Sequence, residues 1–371
     1  MKRVLLAGGG HAHVHVLQAA AREPFAGAAL TLVTPFARQM YSGMLPGFVA
    51  GHYRVEQCAI PLPGLAAAAH VELIEGRITA LDAAQRQATL ADGRVLPYDL
   101  LSLDTGPVMD RDIIPGAREN ALFLRPVEHF VQLYERVLEQ AARRALDVAV
   151  VGGGAGGFEL ALALAWRLQR LGTGSRVSLV AGAAGPLSTF VPAVRRHAMA
   201  ALRRARVTVL PFACVEIGSG FVRLDNGARL ACDVPLLAIG TQAPPWLAGS
   251  GLALDDRGFV ATGPTLQSRS HPEVFAAGDV ASRTDAPHPK SGVHAVRAGP
   301  PLALNLRRAV GGGELMPHMP QHRTLYLLAT GGRHAIASWG KLAAAGGWVW
   351  HWKDRIDRGF VQRYTLTSGG S

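Results

Sequence analysis

VLLAGGGHAH (residues 4–13) and VAVVGGGAGGFE (residues 148–159) are two copies of one pattern: an apolar run breaks into glycines and resumes as a helix. A continuous apolar run of this kind reads as a strand buried on both faces of a parallel sheet. The glycines let the backbone turn tightly and approach a ligand. The N–H groups opening the next helix, with the positive end of its dipole, can then hold a pyrophosphate. One such turn is a weak signal. Two, separated by about the length of an average domain, predict an α/β chain with two nucleotide-binding units, and a chain that binds two dinucleotides usually moves electrons between them.

Composition narrows this further. At 371 residues the chain is long enough for two or three domains, and its 43 glycines exceed the usual share of about 7%. Cys58, Cys214 and Cys232 are odd in number and widely spaced, which leaves neither a disulfide framework nor a CxxC site and predicts a reducing, cytoplasmic setting. The opening MKRVLLAGGG superficially resembles a leader, yet its apolar run ends in glycines and histidines almost at once and reads better as a first strand. No stretch of 18 apolar residues predicts a membrane-spanning helix. The formal charge of +11 suits anionic phosphates or a membrane surface. Its arginines are scattered over several helix-like segments without a stacking motif, so nucleic acid is not expected as a partner.

Along the chain, the first turn leads into a helix through Arg22 and a strand at residues 29–35. A loop-rich stretch follows at residues 36–54, then short strands that include an Asp92-Gly93 hairpin turn. A polar, proline-containing passage at residues 107–126 reads as a linker. Helices at residues 127–144, 158–171 and 191–205, with strands at residues 177–181 and beyond, repeat the first plan. Residues 240–247 read as a return linker, and a tail rich in Trp and Arg begins at Met316.

Several motifs in order resemble the flavoproteins typified by the pyridine nucleotide-disulfide oxidoreductases: the two glycine turns, YDLLSLDTG (residues 98–106) and HPEVFAAGDVA (residues 271–281). The likeness covers most of the chain. It is closer to a branch related to type-two NADH dehydrogenases and sulfide:quinone oxidoreductases. In particular, YSGMLPGFVAGHY, KSGVHAVRAGPPLALNL and WKDRIDRGFVQRY look like the flavoprotein found fused to selenide, water dikinase. The resemblance implies two Rossmann-like domains, the second inserted into the first: residues 1–108 and 244–315 for FAD, 109–243 for NAD(P)H, and 316–371 as an interface or membrane-proximal segment. It carries FAD contacts onto Gly8, Gly9, Gly10, His11, Ala12, Thr34, Tyr41, Ser42, Thr105, Gly106, Gly278, Asp279 and Ser291. Nucleotide contacts fall on Gly152, Gly154 and Gly157.

The chain departs from that family in four places. His13 stands at the third glycine of the first turn, and Thr34 stands where an acid would hold the FAD ribose. Ala181 ends the strand where NADH-specific domains carry Asp or Glu. No cysteine pair exists for disulfide chemistry, and Cys214 and Cys232 read as buried small hydrophobes.

Two residues are singled out for catalysis. Glu159 lies one turn beyond the second phosphate site, where a carboxylate could lie near nicotinamide and flavin; it equally suits a helix N-terminus. Lys290, expected near flavin N1, would stabilise charge on the reduced ring, or else be a solvent lysine. His11, His13 and His15 lie on different sides of one helical turn, so no metal site is expected; His11 or His13 should approach the FAD. The tail sets Trp348, Trp350 and Trp352 beside Lys353, Arg355, Arg358 and Arg363, a composition for a lipid interface, for packing on the FAD domain or for a homodimer partner.

The expected activity is electron transfer from NAD(P)H through FAD to a quinone or similar small acceptor, on the inner face of the membrane if the tail binds lipid. Flavin-dependent oxidation of sulfide or a selenium compound stays open, as does a binding protein with a vestigial nucleotide site.

Overall fold

The computed structural model describes residues 1–365. Both glycine turns sit where the sequence places them, each after the central strand of a five-stranded parallel sheet. In the first sheet Lys2–Ala7 pairs with Ala28–Thr34 on one side and Leu100–Leu103 on the other; Glu72–Glu75 and Val274–Ala276 form the edges. The second sheet repeats the order around Asp147–Val151, flanked by Arg176–Val180 and Val234–Leu237 and edged by Thr208–Leu210 and Leu122–Phe123.

The central strands read as apolar runs because both faces are covered, one by helices and the other by a small antiparallel sheet: Leu5 and Ala7 pack with Ile78, Leu81 and Leu90, and Ala149 and Val151 with Ile217 and Val222. The chain leaves the first sheet after Leu103 and returns only at Val274. The second nucleotide-type unit is therefore inserted into the first.

The helices following the two turns run over His11–Arg22 and Ala155–Gln169, the latter starting three residues earlier than its sequence pattern predicts. The predicted linker contains a short strand, Leu122–Phe123, that completes the second sheet. Within the loop-rich stretch lies a five-residue helix, Leu45–Val49.

The tail folds into a three-stranded antiparallel sheet, Leu325–Ala329, Ala335–Trp339 and Leu342–Gly346, followed by one helix, Gly347–Tyr364. That helix packs Val349, Trp350, Phe360, Val361 and Tyr364 into the core of the first unit. The alternating tryptophans thus belong to a helix, in which Trp348 and Trp352 stack one turn apart on its outer face.

Candidate active site

A cleft of about 770 Å³ opens where the first sheet's strands end, the usual ligand position in open α/β sheets. Gly8, Gly9, Gly10, His11, Thr34, Ser42, Thr105, Gly106 and Asp279 line it, so these nine of the expected FAD contacts come together. Arg38, Arg77, Arg111, Arg118 and Arg125 line it too and give it the positive field that a pyrophosphate needs.

Gly8 has φ +94°, and a Cβ there would lie 2.6 Å from the carbonyl oxygen of Asp104. The Gly9 and Gly10 N–H groups make no hydrogen bond among the described residues. His11 Nε2 and Ser291 Oγ are buried without a partner. A bare-backbone cradle with free donors in a cationic cleft fits a dinucleotide such as FAD. Gly8→Ala is expected to impose about 1–3 kcal/mol of backbone strain and to close the turn against Asp104. Purified protein should show a lower melting temperature and a flavin-to-protein ratio well below that of the parent.

The sequence reading missed Asp104. This fully buried carboxyl accepts hydrogen bonds from the N–H of Ala12 (2.8 Å) and of His13 (3.0 Å), capping the first helix from a neighbouring strand. Ala12's N–H is thus directed at Asp104. Burial, with Asp279 nearby, pushes the Asp104 carboxyl up to about 8, so it is largely neutral at pH 7, beside a site built for phosphate. The signal was an acid directly after the strand of YDLLSLDTG, next to the Thr105 and Gly106 that the motif already picked out.

The three histidines separate as helical geometry requires. His13 is buried between helix and sheet, with Nδ1 2.6 Å from the Gly8 carbonyl and Nε2 2.8 Å from Ser102 Oγ. A carbonyl can only accept, so Nδ1 carries the proton and the Ser102 hydroxyl donates to Nε2. This imidazole takes the place of the missing glycine, and burial lowers its pKa to about 4. His15 meets the hydroxyl of Tyr364. His11 reaches the cleft, edge-on to Tyr41, which stacks on Phe360 with ring centroids 4.4 Å apart.

In the second unit, Gly152 has φ +132°, and a Cβ on Gly157 would run into the Gly152 carbonyl. The loop after Arg176–Val180 folds back so that the Leu187 N–H donates to the Gly153 carbonyl at 2.7 Å. Lys290, Gly278 and Asp279 line a separate, smaller pocket; only Asp279 is shared with the cleft. Lys290 Nζ donates to the Ala281 carbonyl at 2.7 Å and sits 3.6 Å from the centre of the Phe259 ring. It lines no part of the main cleft.

Glu159 is half-buried and accepts a hydrogen bond from the Ala329 N–H at 2.7 Å. Burial pushes its carboxyl up to about 7 against the pull of Lys353. Lys353 Nζ donates to Asp357 Oδ2 at 2.6 Å and to the Gly43 carbonyl at 2.7 Å, beside cleft-lining Ser42. Burial opposes the charge on Lys353, but Asp357 and Glu159 outweigh it and raise its pKa. Lys353 thus ties Asp357 on its own helix to Gly43 beside the cleft, with Glu159 of the second unit in its electrostatic field. Burial, with the nearby Asp357 carboxylate, raises the pKa of the Tyr41 hydroxyl. All three cysteines are free, and burial pushes the Cys58 and Cys232 thiols up to about 12.

The chain matches the pyridine nucleotide-disulphide oxidoreductase family over residues 2–299. It belongs to this family. Among curated relatives it is 26% identical over 269 residues to the demethylphylloquinone reductase NdbB of Synechocystis, covering 69% of this chain and 65% of that one. It is 29% identical over 246 residues to the NADH dehydrogenase-like protein Rv1812c of Mycobacterium tuberculosis, covering 62% and 60%. The match thus spans less than two thirds of the length of either relative. The fold of this family member superposes on the sulfide:quinone oxidoreductase of Aquifex aeolicus with a TM-score of 0.80, at 18% identity over 99% of this chain and 92% of the other. On NDH2 of Plasmodium falciparum the TM-score is 0.82, at 12% identity over 97% of each. None of its three cysteines lines the cleft.

Proposed function

We propose that the chain is an FAD-dependent oxidoreductase that passes electrons from NAD(P)H to a quinone-type acceptor without a redox-active disulfide. Residues 1–108 and 244–315 would hold the flavin, and residues 109–243 the nucleotide. The observation carrying this reading is Lys353, paired with Asp357 and bound to the Gly43 carbonyl beside cleft-lining Ser42, with the raised carboxyl of Glu159 in its field and no cysteine lining the cleft.

When bound, FAD supplies acceptance of a hydride and delivery of two electrons. A hydride brings one proton with its two electrons, whereas a quinone reduced to a quinol takes up two. The missing proton has a source in Glu159, which is half protonated near neutrality and sits in the field of Lys353. Tyr41 and Phe360 stack on each other behind the cleft-lining Met40 and Ser42 and back the edge of the site. Lys290 acts at one remove, through its field on Asp279. The names of the demethylphylloquinone reductase and NADH dehydrogenase-like relatives support both donor and acceptor.

The reading predicts that anaerobic NADH or NADPH bleaches the visible flavin band and that a short-chain quinone restores it. A bound flavin that stays oxidised with both nucleotides but is reduced by sulfide or a selenol would overturn it.

A lipid surface suits the exposed, stacked Trp348 (59%) and Trp352 (41%) on the outer face of the tail helix. No described helix is long and apolar enough to cross a membrane. Vesicles containing anionic lipid should therefore sediment the protein, and Trp348→Ser with Trp352→Ser should weaken binding roughly tenfold. Absence of sedimentation at moderate salt would remove the membrane part of the proposal.

A further inference from the structure

Asp279 also faces a second pocket of about 150 Å³, whose lining apart from Asp279 and Lys290 the activity above does not use. Arg283 lines it and is only 4% exposed. Its Nε and Nη2 form a bidentate pair with Asp285 at 2.9 and 2.8 Å, but Nη1 is buried with no partner. A guanidinium is always protonated, so this is a buried charged donor without an acceptor, an arrangement native proteins rarely leave uncorrected.

Three imidazoles, His288, His294 and His318, share the pocket, with the His288 and His294 rings 4.2 Å apart. Besides burial, every charge acting on His294 is cationic (His288, Arg297 and His318), and those acting on His318 are Arg283 and His288. The carboxylates nearby are already engaged. Asp255 accepts the N–H groups of Arg257 and Phe259, Asp285 is taken by Arg283, and Asp279 answers to Arg125, Lys290 and His288.

We infer that this pocket binds a small tetrahedral oxyanion of the inorganic phosphate type, held by Arg283 Nη1 and the His288, His294 and His318 imidazoles. The volume admits such an ion and excludes a nucleoside. An anion here would satisfy the orphaned guanidinium and offset the cationic field on the histidines. Because Asp279 borders both cavities, it would also alter the surroundings of the flavin.

The test is calorimetric titration of the flavin-loaded protein with inorganic phosphate, repeated with sulfate, phenyl phosphate and chloride at matched ionic strength. The expected result is saturable binding of phosphate and sulfate at one site, accompanied by a flavin difference spectrum, with no saturable response to chloride. Affinity should fall at least tenfold in both Arg283→Gln and His318→Gln. His318→Gln leaves the Arg283–Asp285 pair intact and carries the test if the first variant does not fold. No binding, equal binding of chloride, or unchanged affinity in a folded variant overturns the inference. A response to phenyl phosphate as strong as that to phosphate overturns the free anion as the ligand.

Discussion

Glu159→Gln should slow acceptor reduction about 10²-fold or more, the range general acid catalysis contributes, while nucleotide-driven flavin bleaching changes far less. Gln keeps an oxygen for the Ala329 N–H, so the variant removes the proton and not the hydrogen bond. The pH dependence has a definite sign. The Glu159 carboxyl titrates near 7 in the fold, so its proton is present below pH 7, and the rate of acceptor reduction should fall as pH rises through that value. In the Gln variant this inflection should be absent. Stability follows the same sign. Because the folded pKa lies above the ordinary 4.5, the stabilisation is complete below about pH 4.5 and is lost as pH rises through 7. Stopped-flow reoxidation of the reduced protein over this range checks the kinetic claim. An inflection that persists in the variant would assign it to another group.

Lys353→Met should cost about 3–5 kcal/mol, because it strands Asp357 in the core without its cation. It also removes the charge that restrains the Glu159 carboxyl, so the kinetic inflection should move to higher pH in protein that still folds. Changing Lys353→Met and Asp357→Leu together should recover most of the stability, since a buried pair replaced by apolar groups is often neutral. It should leave the pH profile displaced. Urea melts of the single and double variants separate these outcomes, and equal destabilisation by both would show that the ion pair is not what the core depends on.

Much of the fold was legible because it depends on local pattern. A strand buried on both faces must be apolar throughout, a phosphate turn must be glycine, and the two turns together predict two parallel sheets. Thr34, Ser42 and Gly106 lie in the cleft for the same reason, as neighbours of strand ends. Asp104 escaped notice because its partners, Ala12 and His13, are far away in sequence and neutral backbone groups leave no mark on it. Lys353 reads only as one of the tail's basic residues, and nothing singles out Asp357, because residue type alone leaves lipid, packing and dimer roles open for the tail helix. Tracing its inner face through Trp350, Lys353, Asp357 and Phe360 would have placed them in the core.

The sequence by itself determined the family, the two nucleotide turns and the lack of a cysteine pair, since each depends on residue type at short range. Only the tertiary structure decided which charges meet. It put Lys290 against Phe259 outside the main cleft and fixed the His13 ring between the Gly8 carbonyl and Ser102. It also brought Glu159, Gly43 and Lys353 together from three separate segments. Burial sets the proton affinity of such groups, and burial is a property of the assembled fold.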